Sequence, residues 1–404
     1  NLNNHDITID LFTDSGGSAF SLEQMMKLNM VTQECLGIGK TYKSLCDTLS
    51  QIFDYSFFNL FLQGRTAEYT FNRFFIQEKK RILSNNLFST TQYHQKAFEA
   101  EHTNISCDEA FNKKSNFPFK GNIDISKLES QLKKYKDEIA YISIELCSNA
   151  IGGYAISLKN LQQVYEISNT FGIPVVLDAT RILENAKIIQ IYEENYRNKT
   201  IKEITKSISQ KSSISVLSLK KDFLTPIGGM IASNNEEIYK QIMDYCILHG
   251  SEIPSGYLAA IEIGVQEAIL NEQHMEYRYK LTKMLYQKLQ PLNLGVIEPV
   301  ACHGVWIDIE TFMEEFNQFA NPVVSLQNAL YVEAGIRTGL SLFNGKPTIR
   351  LAIPHRLYTE SHINYVAESI EYVYRNQQLI KNFDIQETGN YLIDETQKTF
   401  IYKE

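Results

Sequence analysis

The feature that most constrains this chain is a strand–helix–strand–helix–strand pattern in its middle. Residues 139 to 146 form an apolar run, Pro174-Val175-Val176-Leu177 a second, and Ile214-Ser215-Val216-Leu217 a third. Ser157 is placed to cap a helix that carries Leu158, Leu161, Val164 and Ile167 on its buried side and stops near Gly172. Two more helical stretches, Arg181 to Asn195 and Ile201 to Ser209, lead to the third run. Strand, helix, strand at this spacing is a right-handed unit of a parallel sheet. Ligands of such sheets bind beyond the carboxyl ends of the strands. Asn149, Asp178, Arg181, Ser218 and Lys221 all emerge there.

The third run ends in Ser218-Leu219-Lys220-Lys221-Asp222. Two adjacent lysines at the mouth of a buried strand are costly unless one has lost its charge or found a partner. Forming a Schiff base with a carbonyl cofactor removes that cost, because the imine replaces the free ammonium. The second run ends in Asp178, within Asp178-Ala179-Thr180-Arg181. Pyridoxal phosphate needs a carboxylate on its pyridinium nitrogen and a lysine on its aldehyde carbon, and Asp178 and Lys221 could supply both. The competing reading is that Lys220 and Lys221 simply end a strand and point into solvent. Convergence of several polar residues on one sheet edge favours the cofactor.

The flanks add weaker signals. Phe57-Phe58-Asn59-Leu60-Phe61-Leu62 reads as a strand, and Gln63-Gly64-Arg65 then opens a helix, where free amides and the helix dipole make an anion site. Arg65 adds a fixed positive fork suited to phosphate, although a plain strand-to-helix turn explains the tripeptide equally well. Phe88 follows a short strand and could stack on a flat cofactor; core packing is the default for a lone Phe. Asp124 caps a further helix, and Asp6 to Phe12 alternates like a short strand. A long helical stretch, about Tyr257 to Leu289, carries the chain toward a second domain with strands at Val305–Asp308 and Thr348–Ile353 and a last helix near 360 to 375.

At 404 residues two domains are the natural expectation. A net charge of −8 argues against a nucleic-acid groove, and no apolar run is long enough to cross a membrane. Cys35, Cys46, Cys107, Cys147, Cys246 and Cys302 are scattered without metal or disulfide spacing, which favours reduced thiols in a cytoplasmic protein. No signal peptide is read at Asn1, and the missing initiator Met points to a trimmed chain or a fragment.

Taken together, the residues resemble the tryptophanase and tyrosine phenol-lyase family of β-eliminating lyases. The resemblance runs nearly the full chain: IDLFTDSG at 9 to 16, QGR at 63 to 65, LFSTTQYH at 87 to 94, FPFKGNIDI at 117 to 125, DATRILENA at 178 to 186, SLKKD at 218 to 222 and RLAIP at 350 to 354. It implies a fold-type-I pyridoxal phosphate enzyme: an α/β chain with a mostly parallel, seven-stranded-type sheet flanked by helices, and a smaller α+β domain. The large domain would span 18–270, and the small one 1–17 with 271–404. A homodimer or homotetramer acting on an amino acid is implied, with neither nucleic acid nor membrane as partner.

The resemblance also implies roles. Lys221 would be the Schiff-base lysine and α-proton acceptor, with Lys220 beside it, and Asp178 would pair with the ring nitrogen. Asn149 and Arg181 would contact the ring oxygen, Phe88 would stack on the ring, and Gln63, Gly64, Arg65 and Ser218 would hold the phosphate. Arg350 would grip the substrate carboxylate, with Ser89 also on the substrate side, and Gly16 and Glu34 would lie near a monovalent cation such as K+.

The departures concern the substrate. The tyrosine that protonates the leaving group in the family is absent from Gln33-Glu34-Cys35-Leu36-Gly37, and Ser341 stands where phenol recognition uses an arginine. A family loop before Arg350 is shortened to about Phe343-Asn344-Gly345-Lys346-Pro347, and the usual proline–arginine pair reads Pro354-His355-Arg356. The expected activity is therefore β-elimination giving pyruvate and ammonia, on an altered substrate. The alternatives are transamination or another α-carbon reaction, and a catalytically silent scaffold.

Overall fold

The computed structural model describes residues 6–31, 39–250, 252–386 and 399–402. The chain divides into two compact units, one of residues 15–277 with 355–357, the other of residues up to 14, 278–354 and 358 onward. No helix among the described residues is long and apolar enough to cross a membrane.

In chain order the first strand, β1 (Ile9–Leu11), belongs to the second unit. The first unit is built on β2 (Phe57–Phe61), β3 (Arg81–Ser84), β4 (Glu101–Asn104), β5 (Ile139–Glu145), β6 (Val175–Asp178), β7 (Ile214–Ser218) and β8 (Gly229–Ser233). They lie in the order β2-β8-β7-β6-β5-β3-β4. The pairs from β7 through to β4 are parallel, and β8 runs antiparallel to both β7 and β2. This is the expected α/β architecture. Strands β5 to β8 are buried almost throughout, as parallel strands covered on both faces must be. That burial hides β8 from sequence inspection: its Gly-rich start reads as a loop, and no alternation marks it as a strand.

Helices α1 (Leu22–Met30), α2 (Lys40–Ser50), α3 (Gly64–Phe75), α4 (Ser89–Ala97), α5 (Ile125–Tyr135), α6 (Leu158–Thr170), α7 (Ile182–Tyr192), α8 (Ile201–Ser209), α9 (Glu236–Leu248) and α10 (Ser255–Leu270) connect the strands or cover them. Their starts are written locally. Asp124 accepts from the Ser126 and Lys127 amides, Ser157 from Asn160, and Thr200 with Glu203 completes a reciprocal capping box. The stretch read as one long helix from 257 to 289 is two, α10 and α11 (Gln273–Leu289). Asn271 breaks it, its Oδ1 accepting the Gln273 amide. Apolar spacing continues across the break, so periodicity alone could not reveal it.

The second unit holds β9 (Gly304–Asp308), α12 (Ile309–Phe312), α13 (Pro322–Ala334), β10 (Ile336–Phe343), β11 (Lys346–Ala352) and α14 (Glu360–Arg375). Its sheet order is β1-β10-β11-β9, with β1 parallel to β10 and the other pairs antiparallel. Side chains including Ile9, Leu11, Val305, Ile307, Leu326, Leu330, Ile349, Leu351 and Val366 form one core. What the sequence suggested was a shortened loop before Arg350 is a tight hairpin: Phe343 pairs with Lys346, and Asn344 and Gly345 both take positive φ. A short antiparallel pair, β12 (Phe383–Gln386) with β13 (Thr399–Tyr402), follows.

One buried contact ties the lysine-bearing turn after β7 to the next helix across the sheet edge. Helix α7 has no side-chain cap of its own. The Asp222 carboxylate takes that role, its Oδ2 accepting the Leu183 amide at 2.8 Å and the Glu184 amide at 3.1 Å. Removing a cap costs about 1 kcal/mol, and each buried donor left unsatisfied roughly 1–3 kcal/mol more. Asp222→Ala is therefore expected to lose roughly 2–4 kcal/mol of stability. Denaturant unfolding checks this, and a change under about 0.5 kcal/mol would show that the cap is not holding this edge together.

Candidate active site

Register sets the site. In the parallel sheet Glu145 at the end of β5 pairs with Asp178 at the end of β6, and β7 ends beside them at Ser218. The turn after β6 is sewn to β7. The Ala179 amide donates to the Val216 carbonyl, the Thr180 amide to Asp178 Oδ1 at 3.1 Å, and the Ser218 amide to Thr180 Oγ1 at 3.0 Å. From Ser218 the chain turns through Lys220 and Lys221. Lys221 Nζ stands 5.6 Å from the centre of the Phe88 ring, and Phe88 is the residue just before α4.

The second wall is the start of α3. Gln63 precedes it without a side-chain cap; its carbonyl takes the Thr66 and Ala67 amides, which leaves those of Gly64 and Arg65 without a partner inside the helix, as at any helix N-terminus. Gly64 lets this turn approach β7 closely: a Cβ there would lie 2.6 Å from Ser218 Cβ and 2.8 Å from its Cα. Lys220 Nζ donates to Gln63 Oε1 at 3.1 Å, and its amide to Ser218 Oγ at 3.3 Å. Burial, then the nearby Arg65 charge, pushes the Lys220 ammonium below its ordinary pKa. Gly16, at φ +71°, donates its amide to the Lys220 carbonyl at 2.9 Å and fixes the same turn from outside.

The floor is acidic. Burial, then the charge of Glu68, pushes the Asp178 carboxyl up, against the opposing pull of Lys221 and the Thr180 donors. Glu145, buried beside it, is pushed up to about 7 by burial and then by Asp178. Glu68 accepts from Thr90 Oγ1 at 2.8 Å, from Thr91 Oγ1, and pairs with His94 Nδ1 at 3.0 Å. Arg181 is buried, with Nε 3.7 Å from Glu184 Oε1.

These walls line one cleft that opens to solvent. One end presents helix amides, Arg65, Ser218 and Lys220, and the floor presents carboxylates raised by burial. Such a cleft fits a flat molecule with an anionic group at one end and a protonated nitrogen further in: the cation relieves the buried acids, and the anion relieves the crowded bases. A lysine near one ring face completes the donor set that pyridoxal phosphate requires.

Ten residues singled out in the sequence line this one cleft: Gln63, Gly64, Arg65, Phe88, Asn149, Asp178, Arg181, Ser218, Lys220 and Lys221. Ser89 is exposed at the start of α4 and does not line it, whereas its neighbours Thr90 and Thr91 do. Arg350 lies in the other unit, on β11, donating from Nη2 to the Phe12 carbonyl at 3.1 Å. Glu34 and the Cys35-Leu36 pair lie outside the described residues. Tyr42, a nearby tyrosine downstream of the Gln33–Gly37 segment, is not in the cleft: it is buried on α2, donates to the Phe58 carbonyl and faces Cys46 and Tyr239. Sequence reading gave no role to Glu68, Thr180 or Glu145. Glu68 stood one helical turn after Gly64, a spacing that could have marked it.

Comparison with known proteins identifies the family. The model of the family described as "Beta-eliminating lyase" matches residues 10–369. A tyrosine phenol-lyase of Clostridium tetani is 33% identical over 94% of this chain and 87% of its own length. One of Fusobacterium nucleatum is 34% identical over 94% and 86%. A probable beta-eliminating lyase of Trichomonas vaginalis is 32% identical over 93% and 85%. Among solved structures, a serine palmitoyltransferase of Sphingomonas wittichii superposes with a TM-score of 0.67 at 15% identity, covering 92% of this chain and 88% of that one, a likeness of fold. The chain therefore belongs to the β-eliminating lyase family, and it is a pyridoxal phosphate-dependent β-lyase.

Proposed function

We propose that this lyase removes an activated β-substituent, such as a thiolate, from an amino acid, with Lys221 and Asp178 as its central residues. The observation that carries the site assignment is their convergence on one cleft, Asp178 from the end of β6 and Lys221 from the turn after β7. Pyridoxal phosphate, when bound, stabilises the electron pair left when the α-proton departs.

The protein's part in this reading follows from the geometry above. Lys221 holds the cofactor's carbonyl end and takes the substrate α-proton onto Nζ. Asp178 keeps the ring nitrogen protonated, a task suited to a carboxylate set at the floor of a cleft, where a paired charge is screened less than in bulk water. Asn149 and Arg181 orient the ring from the side, and Phe88 covers one face. Gln63, Gly64, Arg65, Ser218 and Lys220 hold the anionic end. Arg350 would receive the substrate carboxylate, as a guanidinium fork does well, and Ser89 is proposed as a second substrate contact. A K+ ion near Gly16 and Glu34 belongs to the same reading, and no step above depends on it.

The proposal extends to a cytoplasmic homodimer or homotetramer. Exposed Leu22, Met25, Met26 and Met30 along one face of α1 favour an interface, since a contiguous apolar stripe is seldom left to water. Sedimentation of the purified chain should report a particle at least twice the 46.4 kDa monomer; a stable monomer would contradict this.

Borohydride treatment of the cofactor-loaded enzyme followed by peptide mapping should place the label on Lys221. Asp178→Asn should keep the labelling and lose most turnover, because a neutral amide does not hold the ring nitrogen protonated. Label on Lys220, or undiminished α-proton exchange in the Asn variant, would overturn these roles.

The leaving group is decided by what can protonate it. Expelling an aromatic carbon requires a positioned acid, typically worth about 10² to 10⁴ in rate. No tyrosine stands in Gln33–Gly37, and Tyr42 is committed elsewhere. A thiolate needs far less help, since a thiol has a pKa of about 8.5. An S-alkylcysteine should therefore show a higher kcat/KM than tryptophan or tyrosine. A higher value for either aromatic amino acid would refute the missing-acid argument.

A further inference from the structure

Glu145 is a buried acid for which the reading above has no use. It ends β5, in register with Asp178, and residues paired in register on parallel strands project to the same face. Both line the cleft. A buried, charged side chain at the end of an otherwise apolar strand is expensive unless its charge is used.

The carboxylate is held by the turn that follows it. Ser148 Oγ donates to Oε2 at 2.8 Å, and the Asn149 amide donates to Oε1 at 3.1 Å. Asn85 locks the Glu145 backbone on the other side, accepting from its amide at 3.0 Å and donating to its carbonyl at 3.2 Å. The turn needs such a hold, because Cys147 takes φ +53° and Gly152 and Gly153 also sit at positive φ. Ionised, Glu145 offers an acceptor to each donor; protonated, one oxygen carries a hydrogen and the clamp loosens.

We propose that Glu145 is a positioning residue of this lyase: its ionised carboxylate clamps the Ser148–Asn149 turn and sets a second negative charge beside Asp178, tightening the hold on pyridoxal phosphate. The inference rests on the cofactor site described above.

The charged groups acting on Glu145 are Asp178 on β6 and Arg181 just before α7; Arg181 in turn faces Glu184 on α7, and Asp178 feels Glu68 on α3 and Lys221 after β7. In the cofactor-free protein burial and Asp178 raise the Glu145 carboxyl to about 7. A protonated ring nitrogen beside Asp178 favours the ionised form, so the Glu145 pKa is lower with cofactor than without. Linkage then fixes the sign. Affinity is at its full value above the cofactor-free pKa and falls as pH drops below it, by at most about tenfold per pH unit for one proton.

The test is equilibrium dialysis of the full-length apoprotein against pyridoxal phosphate from about pH 6 to about pH 8.5, for wild type, Glu145→Gln, Glu145→Asp and Ser148→Ala. The wild-type affinity, divided by that of Glu145→Gln, should rise with pH and level off above about 7. Glu145→Asp should retain the dependence, and Ser148→Ala, which removes a donor to the charged form, should move the inflection upward. The inference is overturned if Glu145→Gln follows the wild-type profile while borohydride still labels Lys221 in both. If Glu145→Gln does not fold, an unshifted inflection in Ser148→Ala overturns it instead. Failure of the wild type to bind cofactor at Lys221 at any pH would overturn the site reading itself, and the inference with it.

Discussion

The parallel hydrogen-bond register of β5, β6 and β7 is the constraint on which the rest of the active unit depends. Because Glu145 pairs with Asp178, and β7 is stitched to the turn after β6, three strand ends deliver their polar residues to one edge. A slip of one residue would turn Asp178 toward the opposite face of the sheet. The register is itself defended by burial on both faces, so the apolar interiors of the strands hold the polar ends in place.

Charge balance follows from that geometry. A sheet edge that gathers Asp178, Glu145 and, from α3, Glu68 would be untenable without cations, and Arg181 and Lys221 are close enough to influence them. The bases have the mirror problem at the other end, where Lys220 and Arg65 crowd each other. Protein alone leaves both ends strained, in that acids are raised and a lysine is lowered. A ligand with an anionic tail and a protonated nitrogen, as pyridoxal phosphate has, would relieve both at once.

Much of this was legible in the sequence, for identifiable reasons. The runs at 139–146, 174–177 and 214–217 are strands because β-branched residues concentrate there between clear helix caps, and Asp124 and Ser157 cap as their side chains suggest. Chemistry-bearing residues at the ends of those strands could be located because strand ends are marked by the switch from apolar to polar. Features set by distant partners could not be read. Asp222 caps α7 from another loop, and Glu145 derives its character from a neighbour on a different strand. Strand β8, buried on both faces and glycine-led, carries no periodic signature.

Two glycines decide how far this site can be remodelled. A Cβ at Gly229 would fall 2.4 Å from the Gln63 carbonyl oxygen and 2.7 Å from the Gly64 nitrogen, and one at Gly64 would strike the Ser218 backbone. The seam between β7, β8 and α3 is therefore closed to side chains of any size. Change in what the cleft accepts must therefore come from its other walls, because sterics hold this seam to glycine.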